Sequence, residues 1–303
     1  MGSELKLSVS EVRRLLAEGG FRADYRGPHD VVITGFSDPG DYRSGTAIWL
    51  GAMKYLKLKE GERCEDVALL FASSDFEGIA EFPAVFVCDD PRNAFMYVVE
   101  CTIPDRKPCG VSEHAYVDPS AHIGEGVYVA PGAFIDADVV IGDRTSIYPN
   151  ASIKKGTTVG SDCLIMDGCV IGNAGFGFRH CPDGSLKRLP HLGGVVIGDK
   201  VEIGSNSIVD RGTFRNTVIE TGTKIDTLTV IGHNVHIGKD CFVIGGFVGG
   251  NTDVGDECEL IHMQCKNRVS IGSGAKVGIG SVVIRDIPEG AEVFGNPARV
   301  IKR

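Results

Sequence analysis

Val or Ile recurs at every sixth residue through long stretches of this chain. Val117, Ile123, Val129, Ile135, Ile141, Ile147, Ile153, Val159, Ile165 and Ile171 form an unbroken run, often followed by glycine, as at Gly124, Gly142, Gly160 and Gly172. The period resumes at Ile197, Ile203 and Val209, then at Ile219, Ile225, Ile231, Ile237 and Val243, and last at Ile271, Val277 and Val283. Six is neither the 3.6 of an α-helix nor the two of a half-buried strand. It suits short strands joined by tight corners, with one branched side chain per hexad pointing inward and Gly or Asn tolerating the corner angles. Three hexads make one triangular coil of about 18 residues, and coils stack about 4.8 Å apart. The expected fold class is mainly β, a parallel β-helix of hexapeptide repeats.

Composition agrees. Glycine supplies 41 of 303 residues, about twice the usual share of roughly 7%, without the strict triplet period of collagen. The period breaks at Asn173–Gly194 and briefly at Thr213–Asn216. Insertions in a solenoid become outer loops, often at the binding face. The first one combines aromatic and basic residues (Phe176, Phe178, Arg188 and His191), which points to a functional loop rather than a decorative one.

Residues 1–102 read differently, as a small α/β domain. Ser8-Val9-Ser10-Glu11 is a capping box ahead of the apolar spacing of Val12, Leu15 and Leu16, closed by Gly19-Gly20. Asp30–Gly35, Asp66–Ala72 and Ala84–Cys88 read as strands, and Asp90-Pro91 starts a helix through about Val99. A linker is expected over 103–112, the β-helix over 113–285 with its loop insertion at 173–194, and a short C-terminal cap over 286–303.

With 31 Lys+Arg against 40 Asp+Glu, the net charge of −9 argues against a nucleic-acid partner, which calls for a basic stripe. No apolar run reaches the length of a membrane span. The start lacks the apolar core of a signal peptide and the Ser or Thr of a myristoylation signal, so no lipid anchor is expected. The ten cysteines form no C-x-x-C and read as reduced structural residues of a cytoplasmic protein.

His233 is the residue in which chemistry is most readily seen. It follows the inward Ile231 at a coil corner, and Asp226 occupies the matching slot one hexad earlier. A carboxylate holding one imidazole nitrogen would leave the other as a general base suited to neutral pH. A corner histidine that simply faces water has the same spacing. One coil later, the turn at Gly250-Asn251 offers backbone N–H groups for an oxyanion, or is glycine-rich for steric reasons alone. His233 and His236 lack a third histidine at matching spacing, so no metal is expected. In the first domain Trp49 and Tyr55, with Lys54 beside them, either sandwich a flat ring or pack in the core.

Across both domains, from about Leu7 to Val283, the chain resembles the UDP-3-O-acylglucosamine N-acyltransferases of lipid A biosynthesis. The resemblance is densest in Val170-Ile171-Gly172, Gly175-Phe176-Gly177-Phe178, Pro190-His191-Leu192-Gly193, Val209-Asp210-Arg211-Gly212, Lys224-Ile225-Asp226 and Gly232-His233-Asn234-Val235. It implies a left-handed β-helix and a homotrimer with active sites between neighbouring subunits. The family's catalytic His-Asn falls on His233-Asn234, its orienting Asp on Asp226, and its uracil-stacking aromatics on Trp49 and Tyr55. His233 would deprotonate the sugar's 2-amino group as it attacks a thioester, with N–H groups near Asn251 holding the oxyanion and no cofactor required. A further family histidine falls on Arg268. The chain departs at Ala52 and Thr227, where the family usually has Asn. It closes in Gly295-Asn296-Pro297-Ala298-Arg299-Val300-Ile301, which resembles the tail of acetyltransferases that use acyl-CoA. Two donors follow from this, a 3-hydroxyacyl chain on acyl carrier protein or a shorter acyl-CoA, the second delivered to another nucleotide-linked amino sugar.

Overall fold

A computed structural model describes residues 5–103 and 108–302. The N-terminal start and residues 104–107 of the expected linker lie outside the described residues. The chain divides into two compact units, Met1–Arg106 and Lys107–Arg303.

The first unit is a five-stranded sheet with helices on one face. The helix Val9–Glu18 is capped by Ser8, whose hydroxyl accepts from the Glu11 amide, while the Glu11 carboxylate accepts from Ser8 N at 2.8 Å. The second helix starts at Pro91 behind an Asp90 cap and runs to Thr102, three residues beyond its expected end. The strands lie in the order Ala23–Arg26, Val85–Cys88, Leu69–Ala72, Thr46–Trp49, Gly35–Phe36, and only the first pairing is antiparallel. Period-two alternation puts Leu69 and Phe71 against the helices with Val12, Leu16 and Phe95, and Leu70 and Ala72 against a second cluster with Ile48, Phe76 and Phe82. Sequence reading missed the strands at Ala23–Arg26 and Thr46–Trp49. Both are short, and their apolar residues repeat too few times to show a period.

The second unit is a parallel β-solenoid. Its hexad residues form three buried columns, one of them Ile123, Ile141, Val159, Ile197, Ile219, Ile237, Val254 and Ile271. The register measures each coil directly. Ile141 to Val159 spans 18 residues, Val159 to Ile197 spans 38, and Ile197 to Ile219 spans 22, so the two interruptions add 20 and 4 residues outside the coil. The pairings from Ile231–Val248 through Leu260–Val277 are each 17 residues apart, which accounts for the one-residue slip between Val243 and Val254, while Cys265 to Val283 spans 18 and Val277 to Val293 spans 16. The 173–194 insertion carries an antiparallel hairpin, Phe178–His180 with Leu186–Arg188. Glu292–Phe294 and Arg299–Lys302 pair antiparallel at the C-terminal end. All ten cysteines are free thiols, and Cys163, Cys169, Cys241 and Cys258 stack inward and donate to carbonyls of the next coil at 3.1–3.2 Å. Among the described residues no helix is long and apolar enough to cross a membrane.

Candidate active site

In a solenoid, the neighbours of a corner residue lie one full coil away. Pairing of Asn173 with Asp210, of Val209 with Ile231, and the hydrogen bonds Asn251 N to His233 O (2.8 Å) and Arg268 N to Gly250 O (3.0 Å) stack five successive coils at one corner. That column runs from Asn173–Gly175 through Asp210–Thr213 and His233–Asn234 to Gly250–Asn251 and Arg268. Asn234, Asn251 and Arg268 all adopt left-handed backbone angles, with φ of 57°, 59° and 62°. Asn takes this conformation readily; arginine does so less often.

His233 is half-buried between glycines. A Cβ on Gly250 would sit 2.8 Å from its Nε2, and one on Gly175 3.1 Å from both its Cβ and the Nε2 of His191. Only glycine lets the backbone approach the ring this closely. The short interruption supplies the next contact: Thr213 N donates to Asn234 Oδ1 at 2.7 Å. A backbone N–H can only donate, so the Asn234 amide must turn its NH2 the other way. That NH2 lies 3.0 Å from His233 Nδ1, 3.2 Å from Thr213 Oγ1 and 3.1 Å from Asn251 Oδ1. Reversing the amide would set donor against donor, at a cost of about 1–3 kcal/mol. His233 Nδ1 is therefore an acceptor, and neutral His233 carries its proton on Nε2. A base at Nε2 requires the other tautomer.

His191 comes from the end of the long insertion and meets His233 edge to face, with ring centroids 5.4 Å apart. Its Nδ1 lies 3.2 Å from the Leu189 carbonyl oxygen. That oxygen accepts only, so Nδ1 carries a proton, and only the neutral ring would have its lone pair on Nε2. Burial, the nearby His191 and the Arg268 guanidinium hold the His233 pKa below its ordinary value, against the pull of Asp210. Burial raises the Asp210 carboxyl, opposed by a 3.2 Å hydrogen bond from Asn173 and by the two imidazoles. Two imidazoles beside one carboxylate are groups between which a proton can move. Among the described residues no group of His, Cys, Asp and Glu could hold a metal ion.

Within one chain, no hydrogen bond among the described residues joins the His233 ring to Asp226 or Asn251. Asp226 lies at the next corner of the coil because one hexad advances the chain by one face. It lines a cavity of about 360 Å³ with Met166, Glu202, Lys224 and Phe242, and the carboxylate acting on both imidazoles is Asp210. Asn251 has spent its N–H on the His233 carbonyl. Its neighbour Gly250, packed against the Nε2 edge, has an N–H with no hydrogen bond among the described residues. Asp210 lay within the Val209–Gly212 segment that carried the resemblance. Nothing in the spacing marked it, because the 22-residue register past the insertion hid its alignment with Gly232.

Of the other expected contacts, Arg188 stacks on Phe178 at 4.8 Å and donates to the Gly175 carbonyl at 3.2 Å, beside the histidine pair. Phe176 touches Phe178 (4.9 Å) and is 86% exposed. In the first unit, Trp49, Lys54 and Tyr55 line a cleft of about 520 Å³ with Asp38, Gly51 and Lys57. Trp49 is half-buried against the core, Tyr55 is exposed, and the Lys54 ammonium sits 5.0 Å over the Tyr55 ring.

Residues 138–173 match the family model described as bacterial transferase hexapeptide (six repeats). The chain is 41% identical over 143 residues to "Probable UDP-3-O-acylglucosamine N-acyltransferase 2, mitochondrial" of Arabidopsis thaliana, covering 46% of this chain and 47% of that protein. It is 38% identical over 146 residues to the UDP-3-O-acylglucosamine N-acyltransferase of Rhizobium meliloti (48% and 41% covered), and 43% identical over 148 residues to that of a Caulobacter species (48% and 43%). The chain thus spans less than half the length of these curated relatives. Among solved structures, UDP-N-acetylglucosamine acyltransferases of Francisella novicida and Campylobacter jejuni share the fold, with TM-scores of 0.58 and 0.57 at 21% and 20% identity. They cover 63% of this chain and 69% and 73% of their own. The chain is a hexapeptide-repeat β-solenoid, related over about half its length to proteins named UDP-3-O-acylglucosamine N-acyltransferase.

Proposed function

We propose that this protein transfers an acyl group from a thioester to the 2-amino group of UDP-3-O-acylglucosamine. The observation that carries the reading is the His233 corner: a half-buried imidazole kept neutral, packed against a glycine with an uncommitted N–H, in a fold whose relatives bear that name. The amine attacks the thioester carbonyl directly. A neutral imidazole at this corner accepts its proton, and backbone N–H groups steady the oxyanion. Neither a metal nor a covalent enzyme intermediate enters the scheme.

The cleft of Trp49 and Tyr55 suits the uracil ring, and Lys54 and Lys57 suit the negative charge of a nucleotide. Leu228, Phe242 and Phe247 are exposed on the solenoid, apolar surface that a homotrimer would bury between copies. The free thiols suit a reducing, cytoplasmic compartment. The donor is a 3-hydroxyacyl carrier protein or an acyl-CoA.

The test crosses donors with acceptors: UDP-3-O-acylglucosamine and other nucleotide-linked amino sugars, each offered 3-hydroxyacyl carrier protein or short acyl-CoA, with products read by mass spectrometry. The expected product is diacylated UDP-glucosamine. Acylation of only another amino sugar, or of none, overturns the assignment.

A further inference from the structure

The two interruptions of the hexad pattern are locked together beside the histidine pair, and both present apolar side chains to solvent. Leu192 N donates to the Thr213 carbonyl at 2.7 Å, and Gly193 N to the Gly212 carbonyl at 3.0 Å. A Cβ at Gly193 or Gly212 would collide with the Arg215 carbonyl, so glycine is what lets the loops touch. Arg215 in turn donates to the Asn234 carbonyl at 2.9 Å, which ties the short loop to the coil of His233. On this braced base stand Leu192, next in the chain to His191, and Phe214, which are 69% and 79% exposed. Phe176, itself exposed, lies between Gly175 and Gly177, both of which pack on the His191 ring. Apolar side chains gathered at the surface beside reacting groups mark a place that is covered when the protein works. We infer that Leu192, Phe214 and Phe176 form a platform for the acyl chain already carried on the 3-oxygen of the acceptor sugar, and that this platform makes the protein select acylated acceptors.

The inference rests on the acyl-transfer reading and deepens it by assigning the acceptor's chain. Along the solenoid axis the His233 corner has two unlike sides. Toward the C-terminus come Gly250, whose N–H has no hydrogen bond among the described residues, and then Arg268. Toward the N-terminus come the coils of Asp210 and Asn173, from which the two interruptions leave. The N–H side holds the thioester carbonyl, so the donor arrives there. The amine reacts from C2 of the sugar, and the ester on C3 is one carbon away, so its chain must leave the corner close beside the imidazoles. The side left to it carries Leu192, Phe214 and Phe176. None of the three belongs to the buried core of the solenoid, so their apolar character serves no packing there. Burying them against an alkyl chain supplies binding that an unacylated amino sugar lacks. Arg188, Arg211 and Arg215 are engaged by the carbonyls of Gly175, Gly193 and Asn234, and so brace the platform.

Calorimetry without any donor tests the platform apart from turnover. The full chain is titrated with UDP and with UDP-glucosamine bearing a 3-O-butyryl, 3-O-octanoyl or 3-O-dodecanoyl group. The wild type is compared with the double variant Leu192→Ser, Phe214→Ser and with the conservative Phe214→Leu. Wild-type affinity should rise with chain length. The double serine variant should lose about tenfold or more for the dodecanoyl sugar and less than about twofold for UDP and the butyryl sugar, while Phe214→Leu keeps most of the rise. Both substituted side chains are exposed, so all three proteins should melt alike. Equal wild-type affinity for the three sugars, or an undiminished rise in the double variant, overturns the inference, and UDP binding then still supports the nucleotide cleft. Turnover with the two chains varied separately adds a second reading: a double variant that changes its preference for the donor chain and not the acceptor chain also ends the proposal. A wild type that binds the series in the expected order yet transfers no acyl group sinks the acyl-transfer reading and leaves the platform standing.

Discussion

The His233 corner is held by polar groups that each have one permitted role. Thr213 N must donate, the Leu189 carbonyl must accept, and between them they set the proton positions on two rings. Asp210 carries the cost of this arrangement. Its folded pKa lies above the ordinary carboxylate value, so the stability it contributes is present at low pH and is lost as pH rises through that raised value. At neutral pH the buried charge is a liability to the fold and an asset to the imidazolium. Asp210→Asn should therefore melt at a higher temperature than the wild type at pH 7 and lose this advantage near pH 3, as thermal unfolding at both values would reveal. The same substitution should lower kcat by about tenfold or more, since one pKa unit of lost imidazolium stabilisation is a factor of ten. A variant with wild-type kcat would leave Asp210 without a part in proton transfer. His233 has the opposite sign. Its depressed pKa makes its contribution to stability present above the ordinary imidazole range and lost as pH falls through the folded value.

At the scale of elements, the solenoid and its insertion do different work. The hexad columns make the core, and no side chain of the hairpin Phe178–Arg188 belongs to it. Replacing Arg179–Lys187 by two glycines should change unfolding free energy by no more than about 0.5 kcal/mol, the usual effect of surface changes. It should cost more than tenfold in kcat/KM, because the segment that orients Arg188 and leads into His191 would lose its register. Denaturant melts and initial rates on the same preparation would separate the two effects. A large drop in stability would mean that the hairpin braces the coil. The columns themselves were legible in the sequence, since one branched residue in six is a pattern that chance does not sustain. The 17-residue coils were only half legible. Their slip was visible between Val243 and Val254, but its extension to Leu260, Cys265 and Ile271 shows only when strands are paired.

For the whole molecule, the two units carry distinct tasks in the proposed function, nucleotide binding in the first and chemistry in the second. Trp49→Ala should weaken UDP binding by about 1–3 kcal/mol, the usual worth of a base stacked on an aromatic ring, with little change in kcat at saturating substrate. Calorimetry with UDP is the measurement, and unchanged affinity would return Trp49 to the core alone. Trp49 and Tyr55 were nameable as a pair only through resemblance, because a Trp and a Tyr six residues apart are equally at home in packing.

The sequence by itself determined the solenoid, because an inward Val or Ile at every sixth position has no other way to be buried, and it singled out His233 as a corner residue. Tertiary structure alone decided what His233 faces. Along the chain Asp226 is the nearer carboxylate, yet one hexad turns it to another face. Asp210, 23 residues back across an insertion, stands in the adjoining coil. The insertion made that alignment unreadable from spacing, and it also supplied His191, whose ring reaches His233 only because residues outside the coil fold back over the corner they interrupt.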